Sequence, residues 1–139
     1  MDARERCENF LAALAGRLGL KKLPLNPEDG LALRLGRHLA EFAFIEEMEE
    51  LASLIRIAPL PGEAGSTERR SVLSSLLRGA YAGTGAGGGI LSLDEGGRVC
   101  LAQRYALAGD EGAFLEQFAG QISLADFWLD ALEQRRDLP

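Results

Sequence analysis

The stretch from Leu31 to Pro59 limits the possible folds of this chain most strongly. It contains three runs rich in aliphatic and aromatic residues, LALRLG, HLAEFAFI and LASLIRIAP, separated by turn-forming or acidic residues. In the first run, every second residue from Leu31 to Leu35 is leucine. Because side chains alternate between the two faces of a strand, this spacing predicts a strand with one apolar face. The stretch therefore predicts three consecutive antiparallel strands.

The second and third runs are apolar on both faces. In the second run, Ala40, Phe42 and Phe44 share one face, and Leu39, Ala43 and Ile45 share the other. In the third run, Ile55 and Ile57 lie opposite Leu54. A strand with one solvated face is usually apolar on one side only. These two strands are therefore expected to need cover on both sides.

Three segments have the spacing of amphipathic helices. In residues 3–18, Cys7, Phe10, Leu11, Leu14 and Leu18 recur every three or four positions, after a capping Asp2 and before Gly19. A second helix is predicted over about Glu68 to Ala82, capped by Ser66 or Thr67. A third is predicted from a capping Asp110 to about Arg136, and its apolar residues are Phe114, Leu115, Phe118, Ile122, Ala125, Trp128, Leu129 and Leu132.

Two further strands are predicted at about Ile90–Leu93 and Arg98–Leu107, joined by the turn Asp94-Glu95-Gly96-Gly97. The element order is then α-β-β-β-α-β-β-α. This order predicts an α+β fold with an antiparallel twisted sheet and flanking helices. The length of 139 residues fits a single domain over residues 1–139.

Composition narrows the class of function. The formal net charge is −6, which argues against nucleic acid or an anionic membrane as the main partner. No apolar run approaches the ~18 residues that a membrane span requires, and the charged start lacks the apolar core of a signal peptide. We therefore expect a cytoplasmic protein. Cys7 and Cys100 fit no zinc or redox spacing, and we interpret both as buried thiols.

Three features resemble catalytic or binding motifs. Gly83 to Gly88 matches GxGxxG, but a helix precedes it and a strand follows it, the reverse of the nucleotide-binding order. His38, the single histidine, has no nucleophile motif to serve, and we interpret it as structural. Four glutamates at Glu46, Glu47, Glu49 and Glu50 lack the spacing of a calcium loop. We expect no enzymatic activity, no cofactor and no metal.

The arrangement itself predicts a dimeric module that binds an unstructured apolar segment. The second helix carries a compact apolar stripe, formed by Val72, Leu73, Leu76 and Leu77, that suits a symmetric partner. If the first and third helices cover one face of the sheet, residues such as Phe42, Phe44 and Leu54 remain on a second, partly open face. An open apolar face usually marks a binding surface, and an edge strand can pair with an extended peptide.

In this order of elements the chain resembles the class I type III secretion chaperones, the Tir-chaperone-like family. The resemblance covers nearly the whole chain and rests on FLAALAGRLGLKKLPLN, DGLALRLG, the three-strand block, LLRGAYAGTGAGGGILSLDEGGRVCLAQRYAL and the terminal helix with Phe127-Trp128. It implies a cytoplasmic homodimer without ATPase activity that holds the N-terminal region of a secreted effector extended and secretion-competent.

The resemblance also implies roles for particular residues. It assigns the effector-binding surface to Leu25, Leu33, Phe42, Phe44 and Leu54, and the dimer interface to Val72, Leu73, Leu76 and Leu77. Two alternatives remain open at this point. One is a small regulatory protein that sequesters a protein partner on the same surface, and the other is an enzyme that uses the glycine-rich loop.

Overall fold

The predicted order of elements is confirmed in the computed structural model of the chain. The structure describes residues 1–63, 65–82 and 89–134, without the side chains of residues 77 and 79–82. The helices are α1 (Ala3–Leu18), α2 (Thr67–Ala82) and α3 (Glu111–Gln134), and the strands are β1 (Gly30–Leu35), β2 (His38–Ile45), β3 (Glu50–Pro59), β4 (Ile90–Leu93) and β5 (Arg98–Ala106). The glycine-rich segment Gly83 to Gly88, with Arg135 and Arg136, lies outside the described residues.

The helix ends follow from local chemistry. The carboxylate of Asp2 accepts a hydrogen bond from the Glu5 amide at the start of α1, as an N-cap does. Gly19 ends that helix with φ of 73°, a left-handed conformation that glycine adopts without steric cost. The side chains of Ser66 and Asp110 likewise accept hydrogen bonds from backbone amides at the starts of α2 and α3. The predicted caps are confirmed.

All five strands form one antiparallel sheet in the order β1-β2-β3-β5-β4. Strands β1 and β4 are therefore its two edges. A single turn of 3-10 helix at Glu46–Met48 joins β2 to β3, and Glu49 follows it with φ of 51°. The glutamates of this corner are exposed except for the half-buried Glu50.

The core lies between one face of the sheet and the helices α1 and α3. Phe42 packs on Phe118 of α3 with ring centroids 5.1 Å apart, and Phe10 of α1 stacks on Phe114 of α3 at 4.9 Å. Each such aromatic pair contributes roughly 0.5–1.5 kcal/mol beyond the area that it buries. We call this side the core face, and the opposite side, which exposes Leu39 and Ala43, the outer face.

Helix α3 buries a slightly different stripe from the predicted one. Phe114, Phe118, Ala125 and Trp128 are buried as expected, but Leu115 and Ile122 are only half-buried. Gln121 is buried instead and makes three side-chain hydrogen bonds, to Ser53, Tyr105 and the Leu101 carbonyl. A polar side chain can occupy the core when its hydrogen bonds are satisfied.

Candidate functional site

A cavity of 360 Å³ opens between α1 and the loop that follows it. We call it the α1–loop cavity. Its apolar lining comes from Leu11, Ala12, Leu23, Pro24 and Leu25, and its charged lining from Arg4, Glu8, Lys21 and Lys22. The loop is neither helix nor strand, and Pro24 and Pro27 prevent a helix there.

Arg4 connects this cavity to the start of β1. Its guanidinium donates a hydrogen bond to Asp29 over 2.7 Å, and this bond raises the pKa of Arg4. The Arg4 Cζ atom also lies 5.2 Å from the centroid of the Phe44 ring, within cation–π range. Asp29 directly precedes β1, so the first residues of that strand lie beside the cavity.

A second cavity, of 230 Å³, lies between α1 and α3. We call it the α1–α3 cavity. Its lining is apolar except for Arg17, and consists of Leu14, Leu18, Leu35, Leu115, Phe118 and Ile122 with Ala119 at the margin. The half-buried Leu115 and Ile122 thus contact an opening at the surface, which explains why α3 carries more apolar residues than its core contacts require.

The edge strand β1 joins the two cavities. It begins next to Arg4 of the α1–loop cavity, and its last residue, Leu35, lines the α1–α3 cavity. Because β1 pairs only with β2, the backbone groups along its other side have no strand partner in the described part of the chain. At Gly30 these groups bond to Asn26 instead, so the open part of the edge begins after Gly30. An open strand edge between a partly apolar and an apolar cavity suits an extended peptide that adds one strand and inserts side chains at both ends.

The predicted effector-binding residues do not form one surface. Phe42 and Phe44 are 3% and 6% exposed, so the prediction that they lie on a partly open face is wrong. Helices α1 and α3 cover that face, and the strand register pairs Phe42 with Ser53 and Phe44 with Leu51 on the core side. Leu54 lies on the outer face, opposite to both phenylalanines, and is half-buried.

The other two predicted effector-binding residues lie near the cavities. Leu25 lines the α1–loop cavity, and Leu33 lies on the core side of the edge strand β1. Both side chains are half-buried and pack against the core cluster. Leu25 and Leu33 therefore remain candidates for contact with a bound segment.

The predicted dimer stripe on α2 is partly internal. Val72 and Leu76 are 0% and 7% exposed in the single chain, so the prediction that they are free for a partner is wrong. They belong to the same core cluster as Leu60 and Val99. Leu73 is half-buried, and the side chain of Leu77 lies outside the described part of the structure.

His38, the first residue of β2, takes part in a structural cluster with Arg37 and α3. Its Nε2 atom donates to Asp126 of α3 over 2.7 Å, and Arg37 pairs with both Asp126 and Asp130. The hydrogen bond from His38 lowers the pKa of Asp126.

Among the described residues, no cluster of three or more potential metal ligands occurs, and no helix is long and apolar enough to cross a membrane.

Apart from Leu25, the linings of both cavities were missed by reasoning from sequence. Leu14, Leu18, Leu115 and Ile122 were each placed in a core stripe because their spacing matched a buried helix face. The available signal was the width of the α3 stripe, which exceeds what one packed face needs.

Comparisons with known proteins agree with this architecture. Residues 9–129 match the model of the Tir chaperone protein (CesT) family. The chain is similar to a chain of the ExsC-ExsE complex, with 24% identity, TM-score 0.76, and coverage of 95% of this chain and 97% of that one. No curated protein sequence matches significantly.

Two further solved structures share the fold. One is the HopA1-SchA chaperone-effector complex, with 16% identity, TM-score 0.71, and coverage of 91% of this chain and 94% of that one. The other is the Yersinia pestis type III secretion chaperone SycH in complex with a stable fragment of YscM2, with 19% identity, TM-score 0.66, and coverage of 86% and 97%. Because the family model matches most of its length, the chain belongs to the Tir chaperone protein (CesT) family.

Proposed function

We propose that this protein is a type III secretion chaperone. It binds the N-terminal region of a secreted effector in extended form and keeps that region secretion-competent. The observation that carries the proposal is the pair of cavities with apolar side chains in their linings, joined by the edge strand β1, in a chain of the Tir chaperone family. Solved structures with the same fold include a chaperone-effector complex.

The geometry explains how such a segment is kept from folding. A client that pairs with β1 from Leu31 to Leu35 is held extended over about 17 Å, since a strand rises roughly 3.4 Å per residue. Each apolar side chain that enters a cavity contributes roughly 1.5–3 kcal/mol if it is fully buried. Two such anchors and the backbone bonds offset the ordering of a flexible segment. Apolar client side chains are then covered by the chaperone and not by the client's own core.

Replacing Ala119 with Arg is expected to weaken effector binding at least tenfold without unfolding the chaperone. Ala119 is exposed and lies at the margin of the α1–α3 cavity, where a long cationic side chain would fill the space beside Arg17. The client is first identified by mass spectrometry of proteins that copurify with the tagged chaperone from its native cell. Calorimetry with the N-terminal segment of that client then measures the affinity of each variant.

The control is Gly120→Arg, which adds the same charge to the same helix. Gly120 is exposed, lines neither cavity and has no atom within 4 Å of an added Cβ. We expect this variant to bind like the wild type. Equal affinity of Ala119→Arg and the wild type would contradict a role of the α1–α3 cavity. Binding only to a folded partner, and not to its N-terminal segment, would favour the alternative, a regulator that sequesters a protein.

We also propose that the protein acts as a homodimer, with an interface that matches the predicted stripe only in part. The edge strand β4 exposes Ile90 and Leu93, which are 67% and 42% exposed, and β4 lies beside α2. Leu73 of α2 is half-buried. Apolar side chains on an edge strand favour aggregation unless a partner covers them. Leu73, Ile90 and Leu93 are therefore our candidates for the interface, and Leu77 stays a prediction.

Replacing Ile90 with Arg is expected to raise the dimer dissociation constant at least tenfold. The substitution places a charge in an interface that excludes water, while the exposed position leaves the fold of each chain unchanged. Sedimentation velocity at micromolar concentration measures the effect, with Leu39→Arg on the outer face as control. A wild-type protein that sediments as a monomer would refute the homodimer.

We infer that the protein works in the cytoplasm and has no enzymatic activity. A chaperone that holds its client before export needs to meet it where it is synthesised. The binding described above is an equilibrium between noncovalent contacts, and none of its steps requires bond-making chemistry. Saturable binding of a nucleotide, measured by calorimetry, would contradict this inference.

A further inference from the structure

The loop after α1 combines a backbone that lies outside helices and strands with two cations beside the α1–loop cavity. Lys21 and Lys22 are exposed, line the α1–loop cavity and are the only lysines in the sequence. Neither forms an ion pair with a carboxylate in the described part of the chain. Arg4 lines the same cavity but is already paired with Asp29.

The backbone of this loop is also available. Residues 21–25 are not part of a helix or strand, and their amides and carbonyls make no backbone hydrogen bond to another described residue. Because Pro24 has no amide hydrogen, Lys21, Lys22, Leu23 and Leu25 supply the donors. The apolar floor beneath them is formed by Leu11, Leu23 and Leu25.

The lining of the α1–loop cavity carries a net positive charge, opposite in sign to that of the whole chain. The formal net charge is −6, yet the cavity lining has three cationic side chains and one carboxylate, Glu8. With Arg4 neutralised by Asp29, the two lysines remain the cations available to a ligand. An electrostatic preference of this kind selects partners and speeds their association more than it adds affinity.

We propose that the α1–loop cavity selects client segments in which an apolar residue is closely flanked by Asp or Glu. The apolar side chain enters the cavity over Leu11. The flanking carboxylates pair with Lys21 and Lys22, and the client backbone bonds to residues 21–25. This inference rests on the proposed function, because it names the sequence chemistry of the segment that the chaperone holds.

Selection of random 12-residue peptides displayed on phage against the immobilised, full-length protein tests the proposal. We expect the peptides selected by the wild type to be enriched in Asp or Glu within two residues of an apolar residue. The variant Lys21→Glu/Lys22→Glu should lose this enrichment or select Lys and Arg instead. For one selected peptide, fluorescence anisotropy should show affinity falling about three- to tenfold in the variant. In the wild type it should show a loss of affinity as salt rises, since exposed ion pairs are screened.

The control variant is Arg98→Glu/Arg104→Glu, which makes the same change in net charge on β5. Both arginines are exposed and line neither cavity, so its peptides should match those of the wild type. Acidic enrichment that persists in the lysine variant, or apolar peptides without acidic enrichment, would overturn the proposal and leave the proposed function intact. A wild-type protein that selects no peptide at all would refute both.

Discussion

Replacing Phe42 with Asp is expected to leave the protein unfolded at 25 °C. Phe42 is buried on the core face, packs on Phe118 and lies in a sheet position that α3 covers. Removing a buried phenylalanine costs about 3–5 kcal/mol, and an ionised carboxylate in the same place adds a larger penalty for lost hydration. A domain of this kind is stable by only about 5–15 kcal/mol, so the sum is expected to exceed it. Far-ultraviolet circular dichroism and thermal melting measure the result.

The matched control is Ala43→Asp, one residue along the same strand. Ala43 lies on the outer face, where its side chain is exposed and where the register places it opposite Ala52. A carboxylate there stays in water, and we expect the melting temperature to remain within a few degrees of the wild-type value. If Phe42→Asp folded and melted like Ala43→Asp, the assignment of the two faces of β2 would be reversed.

This pair of variants also shows what the sequence could not decide. The alternation of β2 correctly groups Phe42 with Phe44 and Leu39 with Ile45. It cannot say which group faces the helices, because both groups are apolar and the choice depends on α1 and α3, which lie far away in sequence. The packing of Phe42 on Phe118 settles the question, and those residues are 76 positions apart.

Local signals predicted the elements well. The caps Asp2, Ser66 and Asp110 and the left-handed Gly19 act within one turn of helix, so the helix starts follow from neighbouring residues alone. The prediction that the α2 stripe forms the dimer interface failed because it depended on distant contacts and not on neighbouring residues. The periodicity of the stripe shows that Val72 and Leu76 share a face, but burial by the same chain and burial by a partner produce the same pattern.

The cavities could not be predicted from the sequence. The α1–α3 cavity needs Leu14, Leu35 and Leu115 to approach one another across three elements. Its volume is the space that these side chains leave unfilled, so it depends on tertiary geometry and not on residue type. For the α1–loop cavity the sequence contains a weak signal, since Lys21 and Lys22 directly precede Leu23, Pro24 and Leu25, where the proline prevents a helix.

The hydrogen-bond network around Gln121 was equally hidden, because a single glutamine at a core position looks like a break in the apolar stripe. The Ser53 hydroxyl donates to Gln121 Oε1 over 2.5 Å and the Tyr105 hydroxyl donates to it over 2.7 Å. Gln121 Nε2 donates to the Leu101 carbonyl over 3.0 Å. Burial raises the pKa of Tyr105 to about 12, so its hydroxyl remains a donor at neutral pH. The network thus joins α3 to β3 and β5.

Replacing Gln121 with Leu is expected to lower the free energy of unfolding by about 2–4 kcal/mol, because it leaves buried polar groups of Ser53, Tyr105 and Leu101 without their partner. The two hydroxyls lie 3.5 Å apart and can bond to each other, which places the expected loss toward the lower end. The corresponding fall in melting temperature is roughly 6–15 °C, measured by calorimetry.

The control Gln117→Leu, at an exposed position one turn earlier on α3, should change the unfolding free energy by less than about 0.5 kcal/mol. In the triple variant Ser53→Ala/Tyr105→Phe/Gln121→Leu every polar side chain of the network is apolar, and we expect part of the lost stability to return. If Gln121→Leu alone were as stable as the wild type, the hydrogen bonds would make no net contribution. If the triple variant were less stable than Gln121→Leu, the loss would come from packing and not from unpaired polar groups. The difference in unfolding free energy between the single and triple variants therefore shows why the core holds a glutamine. A more stable triple variant indicates hydrogen bonding, and a less stable one indicates packing.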